Sequence, residues 1–206
     1  MRRYRFFIDL NKEETWLKNM ARNGWALCSK GLGYTFERAE PADTIIRIDY
    51  RQFSSEADYL SYRSLFEDSG WQHIAGSRRS GAQYFKRKAD CTSDDIFSDA
   101  MSGALRYKKI SGAWLSIAVT YIPLLVVLIS TGAINLSALA HPKTLYLTPG
   151  LWEKVGMVFW KAFLFETPFA LLRLLTLLIL PALIAVYVVF ALKAERLYRG
   201  ALRSER

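Results

Sequence analysis

Residues 14–28, ETWLKNMARNGWALC, and residues 60–74, LSYRSLFEDSGWQHI, are two versions of one pattern. Trp16 and Met20 stand four residues apart in the first, Tyr62 and Phe66 in the second, the spacing of one helical face. A Gly-Trp pair follows at the same offset, Gly24-Trp25 and Gly70-Trp71. Glycine ends a helix, and the residues after it, Trp25 to Cys28 and Gln72 to Ala75, predict a strand.

Outward from these blocks the two units continue to match. Tyr4, Phe6, Ile8 and Leu10 alternate with Arg5, Phe7 and Asp9, which predicts a first strand, and Thr44 to Tyr50 predicts its counterpart. Asn11 opens the first helix, and the second spans Ser54 to Ser69. Gly31-Leu-Gly33 and Ser77 to Gly81 supply turns before last strands at Tyr34 to Arg38 and Gln83 to Arg87. The fold class is therefore α+β: a tandem βαββ repeat, in the style of a ferredoxin-like antiparallel sheet with two helices on one face. Trp16, Met20, Tyr62 and Phe66 would fill the core, with Trp25 and Trp71 at the helix ends. Arg5 and Asp9, with Arg47, Asp49 and Arg51, take the opposite register and form a candidate partner-docking face.

Composition divides the 206 residues in two. Residues 1–109 hold 19 of the 28 Lys and Arg and 15 of the 19 Asp and Glu. The remainder is dominated by two apolar runs. Residues 110–134 carry no charge, and residues 169–192 carry only Arg173. Each is long enough to cross a hydrocarbon core of ~30 Å. A purely cytosolic enzyme and a secreted disulfide scaffold are both excluded. The flanking charges place both termini inside: Arg106, Lys108, Lys109, Lys193, Arg196, Arg199, Arg203 and Arg206 against Lys143, Lys154, Lys161 and Arg173. The basic N-terminus lacks a signal-peptide core, which agrees with cytoplasmic placement of residues 1–109.

The expected organisation is a cytoplasmic repeat domain over 1–88, a helical joint over 89–109, and a transmembrane helix over 110–134. An extracytoplasmic loop follows over 135–168, with an interfacial amphipathic helix at about 151–166. A second transmembrane helix covers 169–192, and a basic cytoplasmic tail 193–206. Thr92 or Ser93 would cap the joint helix. Arg173 would snorkel to the headgroups, and Pro123 and Pro181 would kink the spans. Gly112, Ser116 and Thr120 recur every four residues and form a candidate helix-packing face.

Motifs that carry chemistry are sparse. Cys28 and Cys91 fit no metal-ligand spacing, and His73 and His141 fall on opposite sides of the bilayer. Lys30-Gly-Leu-Gly-Tyr-Thr-Phe36 partly resembles the base-stacking strand of RNA-binding domains, but Leu32 stands where an aromatic is needed. Asp94, Asp95 and Asp99 lack the Gly and Glu of a calcium loop and read as helix-start charges. No catalytic, cofactor-binding or metal residues are assigned, and nucleic acid is not expected as a partner.

Glu14 to Leu27, Tyr34 to Arg38, Arg47 to Arg51, Leu65 to Trp71 and Tyr84 to Arg87 resemble, in that order, the bacterial domain-of-unknown-function family numbered 2812 (DUF2812). The resemblance covers about residues 1–90. It implies a membrane-anchored member at the bacterial inner membrane, since similar members append membrane helices and some are encoded beside PadR-type transcriptional regulators. It supplies no catalytic residue. The expected function is regulatory, sensory or adaptor, with the cytoplasmic domain binding a protein partner, either a transcriptional regulator or a membrane complex. The alternative is an accessory subunit of a membrane transporter.

Overall fold

A computed structural model describes residues 1–91, 93–97, 99–132 and 134–203. The first unit begins with β1 (Arg2–Arg3), α1 (Leu10–Arg22), β2 (Trp25–Lys30) and β3 (Tyr34–Arg38). The second begins with β4 (Ile46–Tyr50), followed by α2 (Glu56–Asp68), β5 (Trp71–Ala75) and β6 (Ala82–Arg87). The βαββ order and the α+β class stand as the repeat predicts. The strands divide into two antiparallel sheets, β1-β3-β2 and β4-β6-β5. Each hairpin pairs with the first strand of its own unit, the pairing that closes the shorter loops.

The repeat extends to details that spacing alone did not show. Gly24 and Gly70 both take left-handed φ, +75° and +86°. Four residues beyond each lies a β-bulge, between Leu27 and Ser29 in one sheet and between His73 and Ala75 in the other. Asp9 and Ser55 cap the two helices through Asn11 and Ala57 N–H. The cap at Asp9 also explains why β1 is only two residues long. Leu10 already belongs to α1, so Tyr4 to Asp9 leave the sheet, and Phe7 turns back onto Trp16, 5.5 Å between ring centres.

Both helices do not lie on one face of one sheet. Tyr84 and Phe85 are neighbours on β6 and point to opposite sides. Phe85 packs with Tyr62 and Phe66 of α2, whereas Tyr84 donates its hydroxyl to Glu13 of α1. The second sheet is thus held between the helices. Its α2 side is an aromatic core of Phe53, Tyr59, Tyr62, Trp71 and Phe85. Trp16 of α1 meets Tyr34 and Phe36 of the first sheet edge-on at 4.8 and 5.6 Å. Trp71 is fully buried, as expected, but Trp25 is half-buried beneath the Arg38 guanidinium.

Two further helices are long and apolar enough to cross a membrane: α3 (Ala100–Ser130) and α5 (Gly156–Arg203). Only 6% and 17% of their most apolar windows are buried, whereas the core helix of a soluble protein would be mostly covered. Pro123, Pro168 and Pro181 all lie inside them without ending either helix. A short helix, α4 (Ser137–Ala140), and two 3-10 turns at Pro142–Leu145 and Leu151–Glu153 occupy the connection.

Three expectations change here. Helix α3 begins at Ala100, where Asp99 accepts from Ser102 N–H, so Ser93 caps nothing helical; Thr92 lies outside the described residues. The segment expected to lie flat at 151–166 is instead continuous with the second apolar run from Gly156. At 1.5 Å per residue the 48-residue α5 is about 72 Å long. Glu166, Thr167 and Pro168 lie between Phe165 and Phe169, and the helix runs through them without a break. Finally, the compact unit containing the repeat is larger than 1–88. It runs from Met1 to Ala113 and takes in the end of α5 from Phe190; Trp114 to Val189 form the other unit.

Candidate functional site

The first turn and a half of α1 places two adjacent acids inside the first unit. Glu13 is 4% exposed and Glu14 6%. Leu10, Glu14 and Leu17 share a stripe at helical spacing, so Glu14 occupies a position where packing calls for an apolar residue. Glu13 Oε1 accepts from the hydroxyls of Tyr34 at 2.7 Å and Tyr84 at 2.6 Å, one from each sheet. Burial pushes its carboxyl above the usual range, against the pull of the two hydroxyls.

Glu14 is met by the base of α3. Arg106, 6% exposed, donates through Nη1 to Glu14 Oε1 and to the Ile48 carbonyl, both at 2.6 Å. Its Nη2 donates to Asn11 Oδ1 at 2.5 Å. Glu14 also accepts from Ile48 N–H at 3.0 Å and from Arg47 Nη1 at 3.3 Å. Beside Arg106, the Tyr107 hydroxyl donates to Asp9 Oδ1 at 3.1 Å. Burial likewise raises the Glu14 carboxyl, against Arg106. The nearby basin of about 400 Å³ is walled by Asn11, Thr15, Lys18, Arg47, Asp94 and Asp95 among others.

Chemically this is a lock with a proton-responsive neighbour. The guanidinium spans α1 and β4, and it ties the first helical turns of α3 into the domain. Arg106 Nε and Arg47 Nε are buried without hydrogen-bond partners, the residual cost of placing two guanidiniums around one carboxylate.

A family model described as protein of unknown function DUF2812 matches residues 9–119. The chain belongs to the DUF2812 family. No curated protein and no solved structure matches it. The DUF2812 match contains all of the Glu13, Glu14 and Arg106 cluster and ends within α3.

The residues expected to form a docking face of this DUF2812 protein do not lie on one face. Asp9 is a helix cap, and Arg5 lies over the rings of Phe7 and Trp16. Asp49, expected to be exposed, is 7% exposed and accepts from Tyr50 N–H and the Tyr62 hydroxyl, because α2 covers its side of the sheet. Arg47 joins the Glu14 cluster and pairs with Asp95 at 3.6 Å. Of the five, Arg5 and Arg51 stay exposed, and Arg51, just past β4, lies over Phe53 and Tyr62. Gly112, Ser116 and Thr120 are all exposed. Of the acidic run, Asp94 pairs with Arg87, Asp95 with Arg47, and Asp99 caps α3.

In the other unit Arg173 does not extend outward. Its Nη1 donates to Glu166 Oε1 at 2.7 Å and to the Leu145 carbonyl at 2.6 Å. Glu166 also accepts from Leu147 N–H and Thr148 Oγ1. Sequence reasoning missed Glu13, Glu14, Arg106 and Glu166. A charge on the apolar stripe of α1 was the one signal available for Glu14.

Proposed function

We propose that the chain is a two-span membrane protein with both termini in the cytoplasm, acting as a regulatory or adaptor protein. Its α+β domain binds a protein partner and includes the base of α3, held there by Arg106. The observation that carries this reading is the Arg106 cluster. A tether that only anchored a domain would need no buried ion pair; this one bonds α1, β4 and the base of α3 together. Two long helices with exposed apolar surfaces support the membrane part. The partner surface then lies around Arg51 rather than across Arg47 and Asp49.

Introduced cysteines test the topology: residue 145 should label from outside, and residues 60 and 203 only from inside. Affinity purification in mild detergent with mass spectrometry tests the role. A transcriptional regulator lost on Arg51→Glu supports the adaptor reading, and recovery of a transporter core supports the alternative. The exposed Gly112, Ser116 and Thr120 face favours that alternative, an accessory subunit packing on a larger membrane partner.

A further inference from the structure

Where α5 leaves its apolar run, it forms a groove of about 450 Å³ with the segment leading into α1. Phe6, Phe7, Ile8 and Leu197 line it, together with Lys12, Lys193 and Arg196. The three cations are exposed, and none has an ion pair among the described residues. The one carboxylate in the groove, Asp9, is already committed to Asn11 N–H and the Tyr107 hydroxyl. Phe6 is 60% exposed and packs against Phe190 of α5, 5.3 Å between ring centres. Uncompensated positive charge therefore sits directly beside exposed aromatic surface.

We infer that this groove binds an anionic phospholipid of the cytoplasmic leaflet, an inference that rests on the two-span reading above. Depth fixes the ligand class. Lys193 and Arg196 follow Leu192 by one and four residues, roughly 1.5 and 6 Å along the helix axis. Headgroups occupy roughly 5–8 Å beyond the hydrocarbon on each side, so both cations lie at phosphate level. Spaced three apart, they share a face of α5. Lys12 approaches from α1, and Phe6, Phe7, Ile8 and Leu197 offer the apolar flank that an acyl chain needs and a free anion does not.

The test uses the full-length protein in neutral detergent. Native mass spectrometry counts bound phosphatidylglycerol or phosphatidylcholine, with inorganic phosphate as competitor. Phosphatidylglycerol should bind at least about tenfold more tightly than phosphatidylcholine. With about fivefold expected per basic residue near an anionic headgroup, Lys12→Gln/Lys193→Gln/Arg196→Gln should weaken it on the order of 100-fold. The variant Lys108→Gln/Lys109→Gln/Arg199→Gln loses the same charge outside the groove and should keep most of the binding. Equal loss in both variants, no loss in the first, or full competition by inorganic phosphate would each overturn the site. Flotation with phosphatidylcholine vesicles separates the two levels. A protein that floats but shows no lipid preference removes only the groove, and one that fails to float removes the membrane reading and the groove with it.

Discussion

Removing the Arg106 guanidinium should damage the domain far from where the mutation falls in sequence. Arg106→Met keeps most of the apolar stem and deletes three hydrogen bonds, to Glu14, the Ile48 carbonyl and Asn11. Glu14 remains buried, with only Ile48 N–H and the longer contact to Arg47. Both partners of the pair are under a tenth exposed, so solvent screening does not reduce the effect. Breaking such a pair from one side costs about 3–5 kcal/mol. Glu14→Leu alone should cost a similar amount, since it strands Arg106 instead. The double variant should cost clearly less than the sum, with a coupling of about 2 kcal/mol or more. It will not return to zero, because both the N–H and the carbonyl of Ile48 lose their partners, at about 1–3 kcal/mol each. Pulse proteolysis across a urea series, on the full chain in mild detergent, reads all four corners of the cycle. Additivity within about 0.5 kcal/mol would refute the lock, as would a cost for Arg106→Met below about 1 kcal/mol.

Three other outcomes follow from the same geometry. Burial raises the Glu13 carboxyl, so the native state binds its proton more tightly than the unfolded chain; its contribution is fully present below about pH 4.5 and fades as pH rises through the shifted value. Glu13→Gln keeps the acceptor for Tyr34 and Tyr84, so it should stabilise the domain at about pH 8 and lose that advantage at about pH 4; an unchanged difference across the range would refute the assignment. Trp71→Ala should destabilise by about 3–5 kcal/mol, and half-buried Trp25→Ala by only about 1 kcal/mol, measured in the same urea series. Glu166→Gln releases Arg173 from its ion pair and weakens the anchoring of Leu147 and Thr148, so a cysteine introduced at Leu147 should react with a soluble maleimide severalfold faster than in the parent.

The features legible in the sequence were those with short-range causes. Gly24 and Gly70 announced helix stops, the hairpin glycines announced turns, and uncharged runs announced long apolar helices. Even the pseudo-repeat is local, because each unit pairs within itself. The five residues of the expected docking face are spread over different surroundings for the opposite reason. Alternation along β4 correctly separates Arg47, Asp49 and Arg51 from Ile46 and Ile48, but it cannot say which side a helix will cover. Helix α2 covers the side with the charges, so Asp49 becomes a buried acceptor for Tyr62. The more apolar side is shared with α1, whose acids are satisfied there by Tyr84 and by the backbone of β4.

The domain boundary shows how far this matters. Composition places the end of the domain at Lys88, where a polar stretch begins. The ion cluster places it beyond Arg106, because Glu14 has no adequate counter-charge until α3 supplies one. The compact unit reaches Ala113, and the family match extends to residue 119, both past the polar stretch. A chain ended after Lys88 therefore buries an acid that nothing but Arg47 neutralises, while one ended after Ala113 keeps the pair. The shorter fragment should unfold without a cooperative transition, and the longer one should unfold in a single step at higher urea. If the fragments are equally stable, Arg106 only decorates a domain already complete, and the boundary belongs at Lys88.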